Sequence, residues 1–169
     1  MEPETRELPP PLARTRILTG RWYDRLPVGG ADQKDFCRTC TQMHADEIRS
    51  NALSERIIGC AFRVLNTLGA GFLEKVYENA LAHEMREAGL LVAQQKGITV
   101  YYNGIIVGEY VADLVIEETV VVELKASKTL DPAHTAQCIN HLKATGLHLC
   151  LLLNFSRPRL EIHRVAYEL

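Results

Sequence analysis

Residues 98–126, "ITVYYNGIIVGEYVADLVIEETVVVELKA", constrain the fold more than any other stretch. They are β-branched and aromatic almost throughout, and Asn103-Gly104 falls between two such runs, the residue pair that most readily enters a tight hairpin turn. A third strand reads through residues 120–126. Three strands joined by short connections make a meander, and one this apolar must be covered by other elements.

The flanking segments supply the cover. From Ser54, read as an N-cap, the residues Ile57, Ile58, Ala61, Phe62, Leu65 and Leu68 repeat on one helical face and Gly69 stops the helix. A second helix after Gly71 carries Leu73, Val76, Tyr77, Ala80, Leu81, Met85 and Ala88 on its apolar side and ends at Gly89. Beyond the meander, Asp131-Pro132 suits a helix start and residues 133–145 continue it to Gly146. "HLCLLLNF" then reads as a strand. A strand-helix-strand crossover is right-handed, so this strand should lie parallel to the one that carries Glu123. Residues 160–165, after the Arg157-Pro158-Arg159 turn, add an edge strand. The fold class is α/β, a mixed sheet flanked by helices.

Residues 1–45 are written differently. "ELPPPLARTR" and "RLPVGGADQKD" are rich in Pro, Gly and charge without either period, which reads as a disordered tail or, with Met43 as the start, an extension of the gene model. Residues 46–169 read as one domain, and 169 residues at 47% hydrophobic suffice for one core. Within the tail, Cys37, Cys40 and His44 hint at zinc, but no fourth ligand follows and the default reading is coincidence. Five cysteines are an odd set, three of them in apolar contexts that suit buried thiols, which argues against a disulfide framework. No apolar run reaches membrane-spanning length and no secretory signal opens the chain. The expectation is a soluble, cytoplasmic protein without a membrane partner.

Three charges interrupt the apolar writing of the meander: Asp113, Glu123 and Lys125. An ionised group taken out of water costs several kcal/mol unless a partner or metal compensates it. If Glu117, Glu118 and Thr119 form a three-residue loop, Ile116 pairs with Val120 and Asp113 falls opposite Glu123, with Cβ atoms roughly 4.5–5.5 Å apart and Lys125 on the diagonal. Opposed carboxylates repel, and a divalent cation is the natural remedy. Hard oxygen ligands with open positions suit Mg²⁺ or Mn²⁺, which bridge to phosphate and lower the pKa of bound water. The competing reading is a salt bridge between Lys125 and one carboxylate at a strand end.

With these residues in place, "ADLVIEETVVVELKA" resembles the Asp...Glu-x-Lys core of the PD-(D/E)XK nuclease superfamily, and Gly71, Glu74 and Tyr77 of "GFLEKVY" look like the motif of its GxxExxY branch. The likeness covers about residues 47–165. It implies a restriction-endonuclease-like core and a metal-dependent nuclease site, with Asp113 and Glu123 as Mg²⁺ or Mn²⁺ ligands and Lys125 as the catalytic lysine. Gln137 resembles the family glutamine that lines the site, and Glu74 reads either as a helix-end carboxylate or as a residue reaching that site. Ala112, Ala70 and Leu65 stand where relatives often have Pro, Pro and His, and His141 stands where they have Tyr. His134 and His141 share a stripe with Gln137 and read as polar surface residues.

A net charge of −2 leaves no global basic field, so phosphate contacts would be local, from Lys75, Lys96, Lys128, Lys143, Arg157 and Arg159. The expected substrate is nucleic acid, DNA before RNA; the alternative is a non-catalytic nucleic-acid or protein interaction module on the same fold.

Overall fold

The computed structural model describes residues 33–167, with side chains from residue 47 onward. Of the tail expected over residues 1–45, residues 1–32 and the side chains of Cys37, Cys40 and His44 lie outside the described residues. Helix α1 spans Gln33–Leu68, so it begins well before Ser54 and takes in residues whose composition suggests tail. Ser54 is no cap: it is buried in mid-helix and its hydroxyl donates to the Ser50 carbonyl at 2.7 Å, bonding back one turn. Gly69 does end the helix, in a left-handed conformation (φ 74°) that only glycine adopts without strain, its N–H donating to the Leu65 carbonyl.

Helix α2 (Glu74–Glu87) follows. Its core face is Tyr77, Leu81 and Met85, all fully buried, at the four-residue spacing that stacks side chains on one side. Leu73 precedes the first helical residue and stays 79% exposed, and Val76 and Phe62 are also open, so these three belong to the surface and not to the apolar stripes expected of them.

Five strands form one sheet in chain order: β1 (Val92–Tyr102), β2 (Ile105–Ile116), β3 (Val120–Lys125), β4 (Leu149–Asn154) and β5 (Glu161–Ala166), with α3 (Pro132–Thr145) between β3 and β4. The β1–β2 hairpin turns at Asn103 and Gly104, both with positive φ (48° and 80°), the twist that a two-residue turn needs. β3 and β4 pair parallel, and every other neighbouring pair is antiparallel. Asp131 caps α3 by accepting from the backbone of Ala133 and His134, and Gly146 closes it in the left-handed conformation.

Alternation along the strands builds two cores. Leu114, Ile116, Val120, Val122, Leu124, Leu151 and Leu153 pack beneath α1 and α2. Val115, Val121, Cys150 and Leu152 pack against Cys138 and Leu142 of α3. Cys60, Cys138 and Cys150 are buried free thiols, and burial pushes the Cys150 thiol well up. Among the described residues no helix is long and apolar enough to cross a membrane.

Candidate active site

The loop after β2 sets the site. Glu117, Glu118 and Thr119 make a three-residue connection, and Ile116 pairs with Val120, Val115 with Val121 and Leu114 with Val122. The ladder ends at Leu114 and Val122, and just beyond it Asp113 and Glu123 come together, as the sequence predicts. The loop lacks glycine, so it puts Glu117 and Glu118 into the left-handed region (φ 50° and 52°). Compensation comes from the start of β1: the Leu91 N–H donates to the Glu117 carboxylate and the Glu117 N–H donates to the Leu91 carbonyl, both at 3.0 Å.

At Asp113 and Glu123 the carboxylates take over from the backbone ladder. The Asp113 N–H donates to Glu123 Oε1 at 3.4 Å, and the Leu124 N–H donates to Asp113 Oδ2 at 2.9 Å. Both acids thus sit in the fork where β2 leaves β3. Burial raises the Asp113 pKa from 3.8 to about 6, and the charge of Glu123 adds to the rise; the Leu124 N–H and the Lys125 ammonium oppose it.

Glu123 is fully buried and gripped from α3. Gln137 Nε2 donates to Oε2 at 2.8 Å, while His141 Nδ1 lies 2.9 Å from Oε1 without the alignment of a hydrogen bond. His141 is 1% exposed, so the expectation of a surface histidine is corrected. Its ring meets Tyr110 edge-on with centroids 5.8 Å apart. His134 serves the helix end instead, accepting the Asp131 N–H in a capping box.

Lys125, the last residue of β3, is half-buried on the Glu123 side of the sheet, and among the described residues it makes no ion pair. Glu74 is the first residue of α2 and accepts the Ala126 N–H at 3.1 Å, which ties the helix start to the end of β3. Tyr77 is structural: its hydroxyl donates to the Gly69 carbonyl at 2.8 Å and accepts the Phe72 N–H at 3.2 Å, and its ring stacks on Phe155.

Two residues join the site that the sequence does not single out. Glu78 is buried one turn after Glu74, held by Lys75 and by Gln94 at 2.7 Å each and by Gln95 at 2.9 Å. Gln95 stands level with Asp113 on β1, has a left-handed backbone (φ 52°), and also reaches Asp113 Oδ1 at 3.5 Å. The one signal in the sequence is that Glu78 sits beside Tyr77 on the helix.

The donor set suits a hard divalent cation. Two carboxylates face each other with their repulsion only partly offset, and an ionised carboxylate has lone pairs to spare beyond the donors it already accepts. Among the described residues no three or more His, Cys, Asp or Glu are grouped to hold an ion.

A model of the PD-(D/E)XK nuclease superfamily matches residues 51–165. Among solved structures, the chain is similar to that of SSO0001, at 16% identity and a TM-score of 0.46, over 56% of this chain and 50% of that one. It is also similar to an alkaline exonuclease (LHK-Exo) from Laribacter hongkongensis, at 15% identity and a TM-score of 0.43, over 56% of each chain. The chain thus spans about half the length of these solved chains. No curated protein matches the sequence.

Proposed function

This chain belongs to the PD-(D/E)XK nuclease superfamily, and from that premise we propose that it is a Mg²⁺- or Mn²⁺-dependent hydrolase of phosphodiester bonds in nucleic acid, with DNA preferred to RNA. The observation that carries the reading is the fork at Asp113 and Glu123, where two acids from adjacent strands meet and burial, with the charge of Glu123 added, raises the Asp113 pKa to about 6. Such an arrangement costs stability without a cation and so needs a purpose.

Asp113 and Glu123 would hold the ion, which when bound lowers the pKa of its water and neutralises charge on a phosphate oxygen. The protein's own contribution is placement. Lys125 follows Glu123 by two residues on the same side of β3, its charge acts on Asp113, and its ammonium would orient the attacking water or stabilise the charge that grows on the phosphate in the transition state. Gln137 fixes one oxygen of Glu123 and so sets the carboxylate's angle. Glu74 secures the backbone just beyond Lys125, which holds the ammonium in register with the acids. The GxxExxY branch gives the corresponding reading of Gly71, Glu74 and Tyr77, with the glycine and tyrosine shaping the turn from which Glu74 is delivered.

The test compares wild type with Asp113→Ala on supercoiled plasmid and on matched DNA and RNA oligonucleotides, with EDTA, Mg²⁺ or Mn²⁺ present. Metal-dependent cleavage by wild type that the variant lacks supports the enzyme. Equal behaviour of the two proteins means that the fold serves here as a non-catalytic module.

A further inference from the structure

The structure divides the six candidate phosphate-binding cations into two groups. Lys75 is neutralised by Glu78 at 2.7 Å and Lys96 meets Glu118 at 3.7 Å, while Lys143 lies 5.4 Å over the Tyr167 ring. Lys128, Arg157 and Arg159 are exposed and, among the described residues, form no ion pair. These three sit on the two loops that follow β3 and β4.

They are also held together. Because β3 and β4 run parallel, the loops that leave them open onto one edge of the sheet, the edge at which ligands bind in open α/β folds. Three bonds join these loops: the Phe155 N–H to the Lys125 carbonyl at 2.8 Å, Asn154 Nδ2 to the Ser127 carbonyl at 2.8 Å, and the Arg157 guanidinium to the Lys128 carbonyl at 3.0 Å. Asn154 is buried and pairs with Lys125 across the parallel strands, so the rim is rooted on the row of the lysine that faces the acids. Arg157 and Arg159, with Leu160, Glu161 and Ile162, line a concavity of about 380 Å³. Glu161 is the acid in that wall, and His163 and Asn154 already bind its carboxylate, which holds its pKa low. Beside Arg157, the Ser156 hydroxyl is buried without a hydrogen-bond partner.

We propose that Lys128, Arg157 and Arg159 form a phosphate-binding subsite for the polynucleotide backbone, engaging a phosphodiester next to the one presented to Asp113, Glu123 and Lys125. Guanidinium groups bind phosphate through paired N–H donors, and Arg157 keeps donors free beyond the one spent on Lys128. The subsite rests on the proposed nuclease reading for the identity of its ligand.

The experiment measures binding of a labelled DNA duplex to the full chain carrying Asp113→Asn, across a series of salt concentrations. Adding Arg157→Ala and Arg159→Ala should weaken binding at least tenfold at low salt. The slope of log K against log salt should become shallower by about 2, near 0.9 for each phosphate no longer neutralised. Lys75→Ala, from the paired group, should leave the slope unchanged. Arg159 makes no hydrogen bond among the described residues, so Arg159→Ala alone tests the idea without disturbing the rim, at a slope change of about 1. An unaltered slope in the Arg159 variant, or a parent whose binding ignores salt, overturns the subsite. Cleavage by the protein with Asp113 intact is scored separately. Cleavage with an unchanged slope sinks the subsite alone; no cleavage with a flattened slope sinks the nuclease reading alone.

Discussion

Replacing Asp113 by Asn should make the metal-free protein more stable while removing its response to metal. The folded state raises the Asp113 pKa from 3.8 to about 6, mainly by burial and then by the charge of Glu123. At about 1.36 kcal/mol for each pH unit the rise corresponds to about 3 kcal/mol. The carboxylate is partly open to water, and screening reduces this to about 1–2 kcal/mol. The sign follows from proton linkage: a folded state that holds the proton more tightly than the unfolded chain loses stability as pH rises from about 4 to above 6. Asn keeps an oxygen for the Leu124 N–H and carries no charge, so in EDTA at pH 7.5 the variant should exceed wild type by about 1–2 kcal/mol in urea denaturation. By pH 4 the difference should vanish. Mn²⁺ at a hundredfold excess over its Kd should stabilise wild type by about 2.7 kcal/mol and leave the variant unmoved. A variant less stable than wild type at pH 7.5, or stabilised equally by Mn²⁺, would refute the account of Asp113 as a strained ligand.

Lys125→Met retains the aliphatic stem and removes the ammonium; single-turnover cleavage should slow by about 10²–10³-fold, while the Mn²⁺-induced rise in Tm persists. Tyr77→Phe leaves the Gly69 carbonyl and the Phe72 N–H without their shared hydroxyl, which should cost about 1–3 kcal/mol in chemical denaturation. Glu74→Ala orphans the Ala126 N–H and should cost about 1 kcal/mol, whereas Glu74→Gln still offers an oxygen and should stay within about half of that. Full cleavage by Glu74→Gln would make Glu74 an anchor of the strand end and exclude it from the chemistry.

Legibility in the sequence follows the range of the interactions. Asn103-Gly104 and the alternation of the meander fix their own geometry within a few residues, and the β2–β3 register follows from loop length alone, which is why the sequence suffices to place Asp113 opposite Glu123. Asp131-Pro132 and Gly146 likewise declare the ends of α3. What stays hidden depends on contacts between elements. His141 reads as polar surface because α3 has little apolar contrast, and only the crossing of α3 over β3 carries it onto Glu123. Gln95 joins the site through a left-handed residue in the middle of an otherwise ordinary strand, which no periodicity announces. Ser54 reads as a cap because a serine before an apolar repeat looks the same whether the helix begins there or has already run for several turns.

Backbone strain in this fold serves the placement of Asp113 in two ways, at the loop that sets its register and at the residue beside it on β1. Among the described residues, non-glycine backbone with positive φ occurs at Gln95, Asn103, Glu117 and Glu118; Asn103 belongs to the hairpin turn, Glu117 and Glu118 to the loop that joins β2 to β3, and Gln95 stands level with Asp113. Each such residue costs on the order of 1 kcal/mol or more. The loop at Glu117 and Glu118 sets the register, and a slip of one residue would send Asp113 to the face opposite Glu123. Gln95 reaches Asp113 from β1 and Gln137 donates to Glu123 from α3, so each acid has a contact outside the pair they form. A core free to minimise its energy would relax the loop with glycine and replace one acid with an apolar residue. That this chain does neither is the physical argument for the cation proposed above, whose charge would reverse the cost.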